Sequence, residues 1–195
     1  MSKSALLIVD PQNDFCPGGA IPVRNADKIF PVVNKLIERA KKENEPIIVS
    51  RCWHDDDNRV HFKLNGPWDK HGVKFTKGAE FHPALQLPED AIIVSKGMGL
   101  NEDAYPAFDG RDEFGRSLLE ILRLKFITRL EITGLALDYC VKASALKAKK
   151  YGFDVVVYKN ATMPVNINSD DGYKAELEMQ KAGILITNFP EPELH

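Results

Sequence analysis

No stretch of this sequence stays apolar for long. Its first apolar run, residues 5–9 (A-L-L-I-V), stops at Asp10 and is too short for a membrane span or the core of a signal peptide. Positive charge is not in excess either. The 26 lysines and arginines face 28 acidic side chains, for a net charge of -2, which leaves no basic footprint for a nucleic-acid backbone. The three cysteines, Cys16, Cys52 and Cys140, are odd in number, far apart and without C-x-x-C spacing. A disulfide framework is therefore not expected, and a reducing cytoplasm is. There is no internal repeat, low-complexity tract or linker. Gly97-Met98-Gly99 lacks the third glycine of a dinucleotide loop, where Glu102 stands. Asp55, Asp56 and Asp57 lack the glycine and the terminal glutamate of a calcium loop and read as a solvated charge run.

What is present is ordinary in bulk and ordered in detail. A chain of 195 residues, 44% hydrophobic and 28% charged, is long enough to bury one sizeable core. Short apolar runs at 5–9, 47–50, 91–95, 127–133, 153–158 and 184–187 read as strands. Between them, Ile29, Val33, Leu36, Ile37 and Ala40 recur at helical spacing, and Asn44 and Pro46 mark the end of that helix. A second helix is predicted over 111–124, with Phe114, Leu118, Ile121 and Leu122 on one face. A third runs from an Asp138 cap to about Lys150, and a fourth covers 170–182. Strands rich in β-branched residues alternating with helices predict an α/β fold of three layers: a six-stranded parallel sheet with helices on both faces. A single domain over 1–195 is expected, with a loop-rich insert at about 51–90. A long irregular insert in a compact domain is usually functional. Ligands of open parallel sheets bind beyond the carboxyl ends of the strands. Asp10, residues 51–54, Lys96 and residues 135–140 all follow predicted strands and should converge there.

Three of these residues are candidates for chemistry. Cys140 falls in the first turn of its predicted helix, where the amides and the helix dipole favour a thiolate; a small buried core residue is the other reading. Asp10 is either an acid/base group at the sheet edge or a loop cap. Lys96 either holds a carboxylate near a nucleophile or points into solvent. Of the five histidines, His54, His61 and His71 fall in the insert near the thiol of Cys52, which raises the case for a metal. His82, before Pro83, and His195, the last residue, read as incidental.

Three segments carry a family resemblance. Residues 7–19 read L-I-V-D-P-Q-N-D-F-C-P-G-G, close to V-D-x-Q-N-D-F-x-x-G-G. Residues 94–108 read V-S-K-G-M-G-L-N-E-D-A-Y-P-A-F, similar to a lysine segment with a later D-x-Y-S-x-F, although Pro106 replaces the serine. Residues 133–145 read T-G-L-A-L-D-Y-C-V-K-A-S-A, similar to G-x-A-x-D-x-C-V-x-x-T-A with Ser144 for threonine. Together they resemble the nicotinamidase/pyrazinamidase branch of the isochorismatase-like cysteine hydrolases. That resemblance implies a six-stranded parallel sheet and hydrolysis of nicotinamide to nicotinate and ammonia through a cysteine thioester, a step of NAD salvage. It casts Cys140 as nucleophile, Asp10 as general base and Lys96 as the third catalytic residue. It implies a cis peptide at Leu135–Ala136 and an oxyanion hole from the backbone N–H groups of Ala136 and Cys140. Phe15 and Trp68 match residues lining the ring pocket. Relatives occur as monomers and as larger assemblies, so a homo-oligomer stays open.

The resemblance breaks at the metal. The family's D-x-H after the second strand is Cys52-Trp53-His54 here, with His71 as the later histidine. Cys52, His54 and His71 are the expected ligands of a divalent cation, with His61 a candidate fourth. The thiol favours zinc over iron or manganese. Asp55 or Asp56 replacing the missing carboxylate, or loss of the metal together with a different substrate, are the other readings. The expected partner is a small-molecule amide, with no nucleic acid and no membrane. The alternatives are another amide or carbamoyl substrate, a non-catalytic binding protein that kept the fold, and a redox-sensing thiol protein, which would lack a resolving cysteine at C-x-x-C spacing.

Overall fold

A computed structural model of the chain describes residues 3–57, 62, 67–99, 102 and 105–190. Six strands form one sheet: β1 (Ser4–Val9), β2 (Ile47–Cys52), β3 (Ile92–Lys96), β4 (Arg129–Leu135), β5 (Asp154–Met163) and β6 (Leu185–Thr187). Their order is β3-β2-β1-β4-β5-β6, and every neighbouring pair is parallel. Central strands of such a sheet are covered on both faces. That explains why β1 reads as an unbroken apolar run and why Ala5 to Val9 have no exposed surface.

Helix α1 (Phe30–Lys42) covers one face, packing Phe30, Val33, Leu36, Ile37 and Ala40 against Leu6, Ile8 and Val49. Helices α2 (Leu118–Leu124), α3 (Lys142–Lys150) and α4 (Asp171–Lys181) cover the other. There Leu118, Leu122, Ala145 and Met179 meet Leu7, Val9, Ile48 and Ile132. Each fully buried leucine or isoleucine contributes about 1.5–3 kcal/mol. Among the described residues no helix is long and apolar enough to cross a membrane.

Three expectations change in detail. The helix predicted over 111–124 is helical only from Leu118. Arg111 instead pairs with Ser95 beside β3 and with Ser117, and Phe114 is 74% exposed. Asp138 does not cap α3; it lies inside a π-type turn, Leu137–Val141, that follows Ala136 and leads into the helix. Strand β5 runs on to Met163, past a register shift opposite Ile132 and Gly134. Among the described residues the connection from β2 to β3 is mostly irregular, with a 3-10 turn at Lys77–Ala79 and isolated bridges such as His54–Val73. The strand order turns back between β1 and β4, the place where ligands enter sheets of this kind.

Candidate active site

Strand β1 delivers Asp10 just beyond Val9, where the chain turns with φ 45°. Few side chains adopt that conformation outside functional or tightly constrained positions. Asp10 is fully buried. Ser50 donates from Oγ to its Oδ1 at 2.7 Å, and Lys96 Nζ lies 3.0 Å from its Oδ2. Lys96 and Cys52 are register partners on β3 and β2, so their side chains leave the sheet on the same face. Lys96 donates to Cys52 Sγ at 3.1 Å and to Cys140 Sγ at 3.5 Å, the latter carried on the turn after β4. Asp10, Lys96 and Cys140, separated widely in sequence, therefore meet as expected.

The electrostatics follow from enclosure. Burial pushes Asp10 from 3.8 up to about 6, against the opposing pull of Lys96. Burial also works against the Lys96 ammonium, but Asp10, Cys140 and Cys52 outweigh it and hold the lysine well above its ordinary value. The two thiols are shifted in opposite directions. Cys52 is driven well below the ordinary thiol range by its hydrogen bond with Cys140, helped by the Lys96 ammonium and opposed by burial. The same bond, and then burial, raise Cys140. Cys140 is thus held toward the protonated thiol and needs a base to act, while Cys52 Sγ also faces Asp10 Oδ2 at 3.8 Å.

Beside this group, Cys52 Sγ and one ring nitrogen each of His54 and His71 all lie within 4.8 Å of one another, and all three residues are buried. His54 Nδ1 is 3.0 Å from the Gly97 carbonyl, and His71 Nδ1 is 2.7 Å from that of Asp69. A carbonyl oxygen only accepts, so each Nδ1 carries the hydrogen and each Nε2 presents its lone pair. A thiolate and two oriented imidazoles suit a divalent cation with an open coordination position. The chain is shaped around them. Gly97, at φ 68°, sits where a Cβ would run into the His54 ring, and a Cβ on Gly72 would lie 2.6 Å from Cys52 Cβ. Asp55 and Asp56 do not supply a carboxylate: they pair with Lys74 and Lys70 at 2.7 and 2.8 Å. His61 lies outside the described residues, as does His195; His82 stacks on Phe30 at 4.5 Å, apart from this group.

Residues absent from the expected site complete it. Gln12 is buried; it accepts from Cys52 N–H at 2.7 Å and donates to the Cys52 and Ala79 carbonyls at 2.9 Å each. Asp14 Oδ2 accepts from Gly72 N–H at 2.8 Å. Both stand in the opening Q-N-D motif, so that motif also ties the insert to the end of β2. Ser50, which holds Asp10, had no signal beyond its place in an apolar strand.

A small pocket opens at this edge, bordered by Phe15, Trp68, Tyr105 and Tyr139 together with Cys52, His71 and Cys140. Trp68 donates from Nε1 to Tyr105 Oη at 2.8 Å and meets the Tyr139 ring edge-on at 4.9 Å. The Leu135–Ala136 peptide is cis, as the resemblance implied, and both residues line the pocket. Phe15 and Trp68 were expected here. Tyr105 and Tyr139 were not, although both stand inside the quoted motifs.

Comparison with known proteins gives the family of the chain. The chain is 36% identical to the nicotinamidase of Escherichia coli strain K12, covering 99% of this chain and 98% of the relative. It is 30% identical to the nicotinamidase/pyrazinamidase of Mycobacterium tuberculosis strain H37Rv, over 92% and 96% of the two chains. Its fold superposes on the crystal structure of the pyrazinamidase of Pyrococcus horikoshii in complex with zinc, with TM-score 0.87 and 41% identity, covering 96% of this chain and 99% of that one. The isochorismatase domain model matches residues 4–188, and the chain belongs to the isochorismatase family.

Proposed function

We propose that this protein hydrolyses nicotinamide to nicotinate and ammonia through a thioester on Cys140, the amidohydrolase step of NAD salvage. The observation that carries the reading is the meeting of Asp10, Lys96 and Cys140 at one ammonium, at the mouth of an aromatic-walled pocket. Asp10 takes the Cys140 proton, and Sγ attacks the carboxamide carbon. The backbone N–H groups of Ala136 and Cys140 receive the negative oxygen; losing one such donor typically lowers a rate about 10²–10³-fold. Asp10 then returns the proton to the departing nitrogen, and ammonia leaves a thioester. Water, deprotonated by Asp10, releases nicotinate and regenerates the thiol. Lys96 offsets the charge that moves between carboxylate and sulfur throughout.

Phe15, Trp68 and Tyr139 form the walls for the flat ring. Cys52, His54 and His71 are the proposed ligands of a divalent cation, with zinc the assignment because one donor is a thiolate. Held by these three residues, a cation would supply a Lewis acid for a ring nitrogen of the substrate at the pocket. The test is ammonia release from purified protein over nicotinamide, pyrazinamide and simple carbamoyl compounds. Nicotinamide should be turned over, and Cys140→Ala should abolish turnover. A Cys140→Ala protein that still releases ammonia would overturn the assignment.

A further inference from the structure

Cys52 occupies the position where the family pattern has an aspartate, and it does more than replace a ligand. Its sulfur and that of Cys140 surround a single cation, Lys96 Nζ, at 3.1 and 3.5 Å. The two sulfurs thus flank one ammonium, and both residues border the same pocket. The C-x-x-C spacing that the sequence lacks is thus made up by tertiary structure: the end of β2 brings a second thiol to the nucleophile. We propose that Cys52 is a resolving cysteine, and that a hydroperoxide converts the Cys52–Cys140 pair into a reversible disulfide that switches the enzyme off.

Exposure sets the order of events. Cys140 is partly exposed, whereas Cys52 is only 2% exposed, so an oxidant entering the pocket meets Cys140 first. With its proton on Asp10, the Cys140 sulfur attacks one peroxide oxygen. The O–O bond breaks, a sulfenic acid forms, and the other oxygen leaves as an alcohol, or as water from hydrogen peroxide. Sulfur loses two electrons and the peroxide gains them. Cys52 passes its proton to Asp10, 3.8 Å away, and its sulfur attacks that of Cys140: an S–S bond forms, the S–O bond breaks, and the departing hydroxide takes the proton from Asp10 to become water. The Lys96 ammonium steadies the anionic sulfur in both steps. The product removes the nucleophile and one of the three cation ligands together, and a thiol reductant restores both. Cys16 takes no part: it packs in the core beneath α1, and burial pushes its thiol up to about 11.

The inference rests on the position of two sulfurs and not on the substrate, so its test stands apart from the nicotinamide reading. Purified protein is treated with hydrogen peroxide, blocked with iodoacetamide, digested without reduction and mapped by mass spectrometry. The expected result is a peptide joining Cys52 to Cys140, an intact mass lower by two hydrogens, and a loss of amidase activity that dithiothreitol reverses. In Cys52→Ser the linked peptide should vanish and Cys140 should proceed to sulfinic acid, which dithiothreitol does not restore. In Cys16→Ala the link should still form. Wild-type protein that yields Cys140 sulfinic acid with no linked peptide, or a link through Cys16, would overturn the proposal. The wild-type map decides alone if Cys52→Ser does not fold.

Discussion

At Asp10 two effects oppose each other, and their balance sets a pH dependence. Burial raises its carboxyl to about 6, while Lys96 and the Ser50 hydroxyl pull it down. A general base acts as the carboxylate, so activity is lost as pH falls through that value and recovers as it rises. A divalent cation at Cys52, His54 and His71 would favour the carboxylate further, which moves the acid limb down and never up. The expected profile of kcat/KM therefore rises with pH to a plateau, with its acid limb at or below about 6. An acid limb above pH 7 would remove Asp10 from the role. Three of the chemical residues were legible in the sequence because each ends an apolar strand or opens the helix after one: Asp10, Lys96 and Cys140. The contact between Cys52 and Cys140 was not legible. It depends on the β2–β3 register that pairs Cys52 with Lys96, and nothing in local spacing encodes that register.

Among the elements, α2 shows how periodicity overreaches. Phe114 stands at helical spacing from Leu118, yet the helix begins only after Ser117. Ser117 accepts from Glu120 N–H while Glu120 accepts from Ser117 N–H, and this reciprocal capping box stops the helix from extending backwards. The S-x-x-E signature was there to be read, but the apolar spacing of Phe114 concealed it. Asp138 is a parallel case. As a side chain before an apolar-periodic run it resembled a cap. In the fold its carboxylate instead accepts from Val165 and Asn166 N–H at 2.8 and 2.9 Å, tying the turn that carries Cys140 to the segment beyond β5. Strand alternation, by contrast, was plain, because two-sided burial makes each central strand a continuous apolar run. The cap yields a prediction that belongs to the element. Ser117→Ala should lower stability by about 0.5–2 kcal/mol, read as a fall in urea midpoint, and should leave KM for the amide unchanged. A variant with an unshifted midpoint would show that the box does not anchor α2.

At the scale of the whole molecule, the candidate cation site joins the connection between β2 and β3 to the sheet. Cys52 ends β2, His54 follows two residues on, and His71 lies deeper in the insert. Backbone bonds already join the two arms: His54 N–H donates to Gly72 O at 2.8 Å, and Lys74 N–H donates to His54 O at 2.9 Å. A cation shared by the three side chains adds a cross-link between the insert and the sheet, present only in the folded chain. Binding restricted to the folded state stabilises it by about 2.7 kcal/mol when free metal is at 100 times its Kd. For a chain of this size each kcal/mol moves the thermal midpoint by about 2–4 °C. Chelation should therefore lower the midpoint by roughly 5–10 °C and abolish amide hydrolysis, and added zinc should restore both. Magnesium should restore neither, because it prefers oxygen ligands to a thiolate and two imidazoles. Limited proteolysis should find new cleavage between β2 and β3 in the chelated protein, with the flanking strands intact. A chelated protein that melts at the same temperature would mean that these three side chains do not hold a cation between insert and sheet.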